Sequence, residues 1–345
     1  MERQRRRFGA RSEMHTPEGR RPSRPAGRVW VRLRPALLAA SGLLAAGSVI
    51  AGGRIDAGAR PAAAASGHTL TPAARPPLAH AASASHLVVT APVTTGPSWT
   101  TVAHVAGHPA AWIAQRSGVT LMALDQRYVH LALHTGVIDG GAVGWTYGDQ
   151  ITPREIHLVV AAFNGGFKLS YANVGFVSGG RVAVALKPGL ASIVTYTDGT
   201  TNIAAWHNGV PSARRSVFSV LQNQFLLVDR GAAAANVTSC VIACWGVTIQ
   251  NLIVVPRSGL GITASGRLVW AAGEQLTPAT LAGALISAGA VRAIELDINP
   301  YAVAGYLYVH HATGPVAVPV IPGQQGIPGQ LLTADNRDFF AVIAN

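Results

Sequence analysis

From residue 98 onward the chain is written in short apolar runs cut by glycine-bearing turns, and that pattern restricts it to a strand-rich fold. The runs include VTLMAL (119–124), YVHLALH (128–134), IHLVVAAF (156–163), NVGFVS (173–178), RVAVAL (181–186), ASIVTYT (191–197), TNIAAW (201–206), FLLVDRG (225–231), LGITA (260–264) and RLVWAAG (267–273). Ser-Gly-Gly at 178–180, Asp-Gly at 198–199 and Ser265-Gly266 supply the positive φ that tight hairpins need. The first two runs flank Asp125-Gln126-Arg127 and predict a hairpin. One segment is written as a helix, TPATLAGALISAGA (277–290), with Thr277 as N-cap, Pro278 at the first helical position and Gly289 as C-cap. Its Leu281 and Leu285, four apart, share a face. The strand before it, the helix and VRAIELD (291–297) predict a βαβ-like unit. The expected class is therefore α+β, mixed α/β: a strand-rich twisted sheet domain with a few helices, preceded by one N-terminal transmembrane or signal helix.

That βαβ-like unit ends in AIELDINPYAVAG (293–305), two acids two residues apart in a chain where 12% of residues are charged. In an extended segment Glu295, Asp297 and Asn299 fall on one face and Ile294, Leu296 and Ile298 on the other. The carboxyl end of the second strand is a common place for functional groups. Ordinary glycosidases use two carboxyls about 5–9.5 Å apart on opposite sides of the scissile bond. Neighbours on one strand face are about 6.6–7 Å apart at Cα, but both lie on the same side. One of the two is thus also readable as a partner for Arg257 or Arg292, and a buried pair raises one pKa. AAFNGGFK (161–168) runs an apolar strand into Asn164-Gly165-Gly166. It reads either as a hairpin turn or as a place where backbone N–H groups approach a ligand. Arg257 in VPRSGLGIT (255–263) is either a surface cation or a guanidinium that pairs a carboxylate or holds a phosphate.

Residues 1–34 carry 11 of the 27 basic and 3 of the 15 acidic residues. The other 311 residues hold 16 basic and 12 acidic groups, a net charge of only +4. The folded part lacks the basic stripe that nucleic-acid binding requires, so no nucleic-acid partner is expected. Residues 35–53, PALLAASGLLAAGSVIAGG, form an uncharged stretch of 19 residues between arginines. They are read as a transmembrane signal anchor or a cleaved signal peptide, with the N-terminus inside and the main domain outside. Residues 54–97, rich in Ala, Pro and Ser, are read as a disordered linker, and 98–345 as the functional domain. Cys240 and Cys244, the only cysteines, are read as a disulfide, with two buried thiols as the alternative. His130 and His134 read as a polar strand face. No His-Glu-x-x-His, Walker loop, Gly-x-Ser-x-Gly or paired Cys-x-x-Cys occurs, so neither a metal nor a cofactor is expected.

Taken in order, NGGFK (164–168), QNQFLLVDRG (222–231), PRSGLGIT (256–263), the helix at 277–288 and ELDINPY (295–301) resemble the phosphodiester glycosidase family. Its members include relatives of the enzyme that removes N-acetylglucosamine from a phosphodiester to uncover mannose 6-phosphate. The likeness covers about residues 99–345. It is strongest to exported actinobacterial-type members that carry Leu-Asp-Ile-Asn and end in a segment like RDFFAV, here 337–342. The resemblance implies Asn164, Gly165, Gly166, Arg257 and Asp297 as site residues. Ile298, Asn299, Pro300 and Tyr301 replace the family's Gly-Gly-Gly-Ser, and Pro300 has no N–H to offer an anion. Lys168 replaces the second Phe of the family's Asn-Gly-Gly-Phe-Phe and supplies a cation. The expected function is an extracytoplasmic hydrolase cleaving a glycosyl phosphodiester bond in an envelope glycan or exopolysaccharide. Its catalytic candidates are Asp297, Glu295 and Arg257, and its substrate-binding candidates are Asn164, Gly165, Gly166, Lys168 and Asn299. The alternative is a non-catalytic cell-envelope glycan-binding protein on the same scaffold.

Overall fold

A computed structural model describes residues 87–92, 96–138 and 145–345. The basic tail at 1–34, the candidate membrane segment at 35–53 and nearly all of the linker reading lie outside these residues. Within the linker reading, Leu87–Val89 pairs as an edge strand against Thr100–Val105, burying Leu87 and Val89 on one face. No helix of the described residues is long and apolar enough to cross a membrane.

The described residues form three sheets. The nine-stranded sheet runs Leu87–Val89, Thr100–Val105, His108–Arg116, Val119–Leu124, Leu268–Leu276, Val255–Thr263, Ala290–Glu295, Leu226–Asp229, Ala232–Ala233. The five-stranded sheet runs Gly314–Pro319, Gly305–His311, Val159–Asn164, Phe339–Ala344, Val129–His134. The six-stranded sheet runs Gly209–Val210, Thr201–Trp206, Ala191–Tyr196, Val217–Gln222, Phe176–Ser178, Arg181–Val184. Among the described residues only Thr201–Trp206 with Gly209–Val210 is a parallel pairing.

This overturns the mixed α/β expectation: the fold is strand-dominated. Of the three α-helices among the described residues, Leu169–Ala172 has four residues and Val241–Trp245 five, and only Pro278–Ser287 reaches ten. The other apolar runs are too short for stable helices, and pairing as strands satisfies their backbone groups. Pro278–Ser287 begins with the expected Thr277 cap, which accepts from Thr280 N while the Thr280 hydroxyl accepts from Thr277 N. The helix crosses between Leu268–Leu276 and Ala290–Glu295. Both strands are antiparallel to Val255–Thr263 between them, and so run parallel to each other.

Burial on both faces of many strands explains their continuous apolar sequences. One core packs Ile113, Met122, Leu131, Phe163, Ile193, Trp270, Ile294 and Phe340 between sheets. A second packs Leu281 and Leu285 of the helix on the other face of the nine-stranded sheet, against Val269, Ala271 and Ala293. The helix lies so close to Val255–Thr263 that a Cβ on Gly259 would be 3.2 Å from Leu285 and 3.3 Å from Leu281. The expected hairpins at 178–180, 198–199 and 265–266 form, with Gly179, Gly180, Gly199 and Gly266 at positive φ. The hairpin expected around Asp125 does not. Val119–Leu124 pairs within the nine-stranded sheet and Val129–His134 with Phe339–Ala344, so this turn carries the chain from one sheet to another.

Candidate active site

Four segments far apart in sequence meet here. Val159–Asn164 pairs with Phe339–Ala344 in a register that sets Phe339 opposite Asn164, which brings Asp338 beside Gly165 and Gly166. Val255–Thr263 pairs with Ala290–Glu295, setting Gly259 opposite Glu295, so Ser258 meets the chain just beyond that strand. Ser258 N donates to Asp297 O (3.0 Å) and Leu296 N to Ser258 O (2.8 Å).

Buried hydrogen bonds tie these ends together. Asn164 Nδ2 donates to Ser258 Oγ (2.8 Å) and to Gly165 O (2.9 Å). Asp297 N donates to Ser258 Oγ (3.3 Å). Gly166 N donates to Asp338 Oδ2 (2.9 Å) and Gly165 N to Asp338 O (2.9 Å). Gly165 must be glycine because an added Cβ would collide with the Asp338 carboxylate. Gly165→Ala should therefore cost about 1–3 kcal/mol by forcing these groups apart. Thermal melting reads this loss, and a variant as stable as the wild type would show that the contact yields freely.

Asp297 is 4% exposed and each of its carboxylate oxygens has a partner. Oδ1 accepts from Ile298 N (2.6 Å) and Asn299 N (2.9 Å), and Oδ2 lies 3.1 Å from Arg337 Nη2. The same nitrogen donates to Gly166 O (2.8 Å) and lies 3.7 Å from Asp338 Oδ1. Burial holds the Asp297 carboxyl above the usual carboxylate range, while the Arg337 guanidinium and the two backbone donors pull the other way.

Asp297 and Arg337 line a cleft of about 600 Å³ with Lys168, Asn299, Gln224 and an apolar wall that includes Phe167, Tyr171, Val247 and Ile298. Lys168 Nζ lies over the Tyr171 ring, 5.8 Å from its centre. A second cavity of about 340 Å³, lined by Asn164, Tyr301, Asp335 and Asp338, shares Arg337 with the first. One guanidinium thus stands between two spaces, with a carboxylate on each side.

The structure brings together Asn164, Gly165, Gly166, Lys168, Asp297 and Asn299. It places Arg257 and Glu295 elsewhere. The strand ends at Glu295, so the alternation does not carry through to Asp297 and Asn299. Glu295 faces the helix side of the sheet, where its Oε1 accepts from Arg257 Nη1 (2.7 Å). Arg257, 0% exposed, also donates to Leu276 O (3.1 Å), Trp245 O (3.0 Å) and Ile253 O (3.3 Å). Burial pushes the Glu295 carboxyl up to about 7, against the opposing charge of Arg257. Asn164-Gly165-Gly166 is no hairpin turn; it leads into Leu169–Ala172. His134 is buried and within 3.3 Å of Glu155, and His130 within 2.7 Å of Asn345, so the two do not share a site. Cys240 and Cys244 are joined as a disulfide. Among the described residues no group of three or more His, Cys, Asp or Glu is placed to hold a metal.

Sequence reasoning passed over Ser258, Arg337 and Asp338. All three stand within PRSGLGIT (256–263) and RDFFAV (337–342). The signal for the last two was a pair of opposite charges directly before an apolar run.

No protein-family model matches this sequence, and no curated protein matches it. Among solved structures, it is similar to the zebrafish N-acetylglucosamine-1-phosphodiester α-N-acetylglucosaminidase catalytic domain auto-inhibited by its pro-peptide. That likeness has 13% identity and a TM-score of 0.44, and covers 75% of this chain and 87% of that one. A hypothetical protein from Synechocystis is also 13% identical, with a TM-score of 0.37 over 70% of this chain and 65% of that one. Likenesses this distant assign neither a family nor an activity.

Proposed function

We propose that this protein is a hydrolase that cleaves the glycosyl phosphodiester bond of an envelope glycan or exopolysaccharide. It would act outside the cytoplasmic membrane, tethered or exported through residues 35–53. One observation carries the reading: Asp297 and Arg337 stand in contact in the wall of a cleft that Lys168 also lines. The ordered set of motifs shared with phosphodiester glycosidases supports it.

The chemistry suits a site with one carboxylate in the cleft. Hydrolysis breaks the bond between the anomeric carbon and the phosphate oxygen; water supplies the new hydroxyl on the sugar and its second proton is taken up. A phosphate departs as a stable anion, so it needs a cation more than a proton donor. Arg337 and Lys168 offer that charge. Asp297, ionised opposite Arg337, takes the proton of the attacking water or stabilises positive charge developing at the anomeric carbon. Asn164, Ser258 and Asp338 hold the Gly165-Gly166 turn and the Asp297 backbone in place.

The test is turnover by the full-length chain on UDP-sugars and methyl-phospho-sugars, with free sugar as the readout. Release by the wild type and its loss in Arg337→Ala would support the reading; no release from folded protein would overturn it. A second reading, a glycan-binding protein without turnover, is favoured by the turn after Asp297. There Ile298 N and Asn299 N are spent on Asp297 Oδ1, Tyr301 N on Asn299 Oδ1, and Pro300 has no N–H, so no backbone nest faces the cleft. Glycan affinity unchanged by Asp297→Asn, without turnover, would favour it.

A further inference from the structure

A groove lies near the other end of the strands Val255–Thr263 and Ala290–Glu295 that help build the Asp297 site. Turns from separate sheets meet there: Asp125–Arg127, Asp198–Thr200 and Thr263–Arg267, together with Arg292 near the start of Ala290–Glu295. They enclose about 980 Å³. Gln126 fixes the turns to one another. Its Nε2 donates to Thr201 O (3.0 Å) and Gly266 O (2.5 Å), and its Oε1 accepts from Thr201 N (2.5 Å). The groove therefore exists before any ligand arrives.

Its lining holds four guanidiniums and two carboxylates. Arg127 donates to both Asp125 oxygens, and Arg215 to both Asp198 oxygens. Two charges remain. Arg267 reaches Asp125 only at 4.0 Å and lies over the Trp112 ring, 4.6 Å from its centre. Arg292 forms no ion pair among the described residues. Cross-strand register puts Arg292 opposite Ile262, which is opposite Leu268, the residue after Arg267, so the two spare arginines rise from strands two apart at the same end of the sheet. The same lining carries hydroxyls and an amide, from Thr200, Thr201, Thr263, Ser265 and Asn202.

We infer that this groove is a binding site for an acidic oligosaccharide, which lays its carboxylates or other acid groups on Arg267 and Arg292 and its hydroxyls on the polar lining. Sparse positive charges suit a polymer with about one acid group per sugar or disaccharide. Nucleic acid fits poorly. Duplex DNA brings one charge per about 1.7 Å, which would press phosphates against Asp125 and Asp198. The aromatic faces that could stack bases, Trp112 and Tyr196, are already covered by Arg267 and Arg215. Arg127 and Arg215, held by their carboxylates, shape the walls, while the ion-paired Asp125 and Asp198 still accept hydrogen bonds from sugar hydroxyls.

The test is titration of the full-length chain with an oligogalacturonate hexasaccharide at low ionic strength. Maltohexaose serves as the neutral control and a short single-stranded DNA as the rival. The oligogalacturonate should bind, and its affinity should fall at about 0.5 M NaCl, where screening shortens to a few ångströms. Maltohexaose should bind far more weakly. Arg267→Gln with Arg292→Gln should weaken binding at least about tenfold, and the single variants less, each checked for folding by thermal melting. Both arginines lie away from the cleft, so the double variant should turn over a small glycosyl phosphodiester as the wild type does, and Asp297→Asn should bind the hexasaccharide unchanged. No binding of oligogalacturonate, equal binding by the folded double variant, or tighter binding of the DNA would overturn the inference. None of these outcomes depends on whether the Asp297 site is catalytic.

Discussion

Asp297→Asn is expected to lower turnover of a glycosyl phosphodiester by about 10²–10⁴-fold, the span a positioned general acid or base contributes. Asparagine keeps the shape, and its Oδ1 can still accept from Ile298 N and Asn299 N. What it removes is the charge opposite Arg337, and with it the capacity to take a proton. The wild type should also show an acid limb in kcat/KM. Activity requires the ionised form, so it rises as pH climbs through the Asp297 pKa, which burial holds above the ordinary carboxylate range. That limb should vanish in the variant along with the activity. Retained activity, or a limb surviving unchanged, would remove Asp297 from the chemistry and give the role to another group.

The largest expected stability effect lies where no substrate reaches. Arg257→Met should cost about 3–5 kcal/mol, because it leaves the Glu295 carboxylate buried without its partner. It also leaves the carbonyls of Leu276 and Trp245 without their donor. For a domain of this size the corresponding fall in Tm is about 10 °C. The loss should grow with pH. Glu295 sits at about 7 in the fold with Arg257 present, and without that opposing charge its pKa rises further. A carboxyl whose folded pKa is raised adds stability below its unfolded value of about 4.5 and loses it as pH rises through the folded value. The variant should therefore come closest to the wild type in acid. Arg257→Met with Glu295→Leu should recover much of the loss, since apolar replacement of both partners removes the stranded charge. Because Arg257 does not line the cleft, kcat should persist wherever the single variant stays folded. A normal Tm with lost turnover would reverse this assignment and return Arg257 to the site.

These two residues also show how far the sequence could be read. PRSGLGIT is a single strand that carries both Arg257 and Ser258. Successive side chains on a strand point to opposite faces, so Arg257 turns to the helix side and Ser258 meets Asn164 and Asp297. Asn164, Gly165 and Asp297 were legible because glycine beside an apolar strand and acids at a strand end are unusual enough to stand out. Arg337 and Asp338 were visible as letters, but nothing local says that Phe339 lies opposite Asn164. Hairpins with two-residue glycine turns were legible from their turn chemistry. The partners of Val119–Leu124 and Val129–His134 were not, because strands buried on both faces carry no alternation to fix which neighbour they choose.

The strand Phe339–Ala344 sits inside its sheet, between Val159–Asn164 and Val129–His134. It delivers Arg337 and Asp338 to residues some 170 positions earlier. A chain emerging from the ribosome presents Asn164 and Asp297 before their partners exist. Until residue 344 has arrived, Val129–His134 has no neighbour in that sheet and the cleft lacks its guanidinium. The Asp297–Arg337 contact is thus complete only once residues 337–344 have joined their sheet.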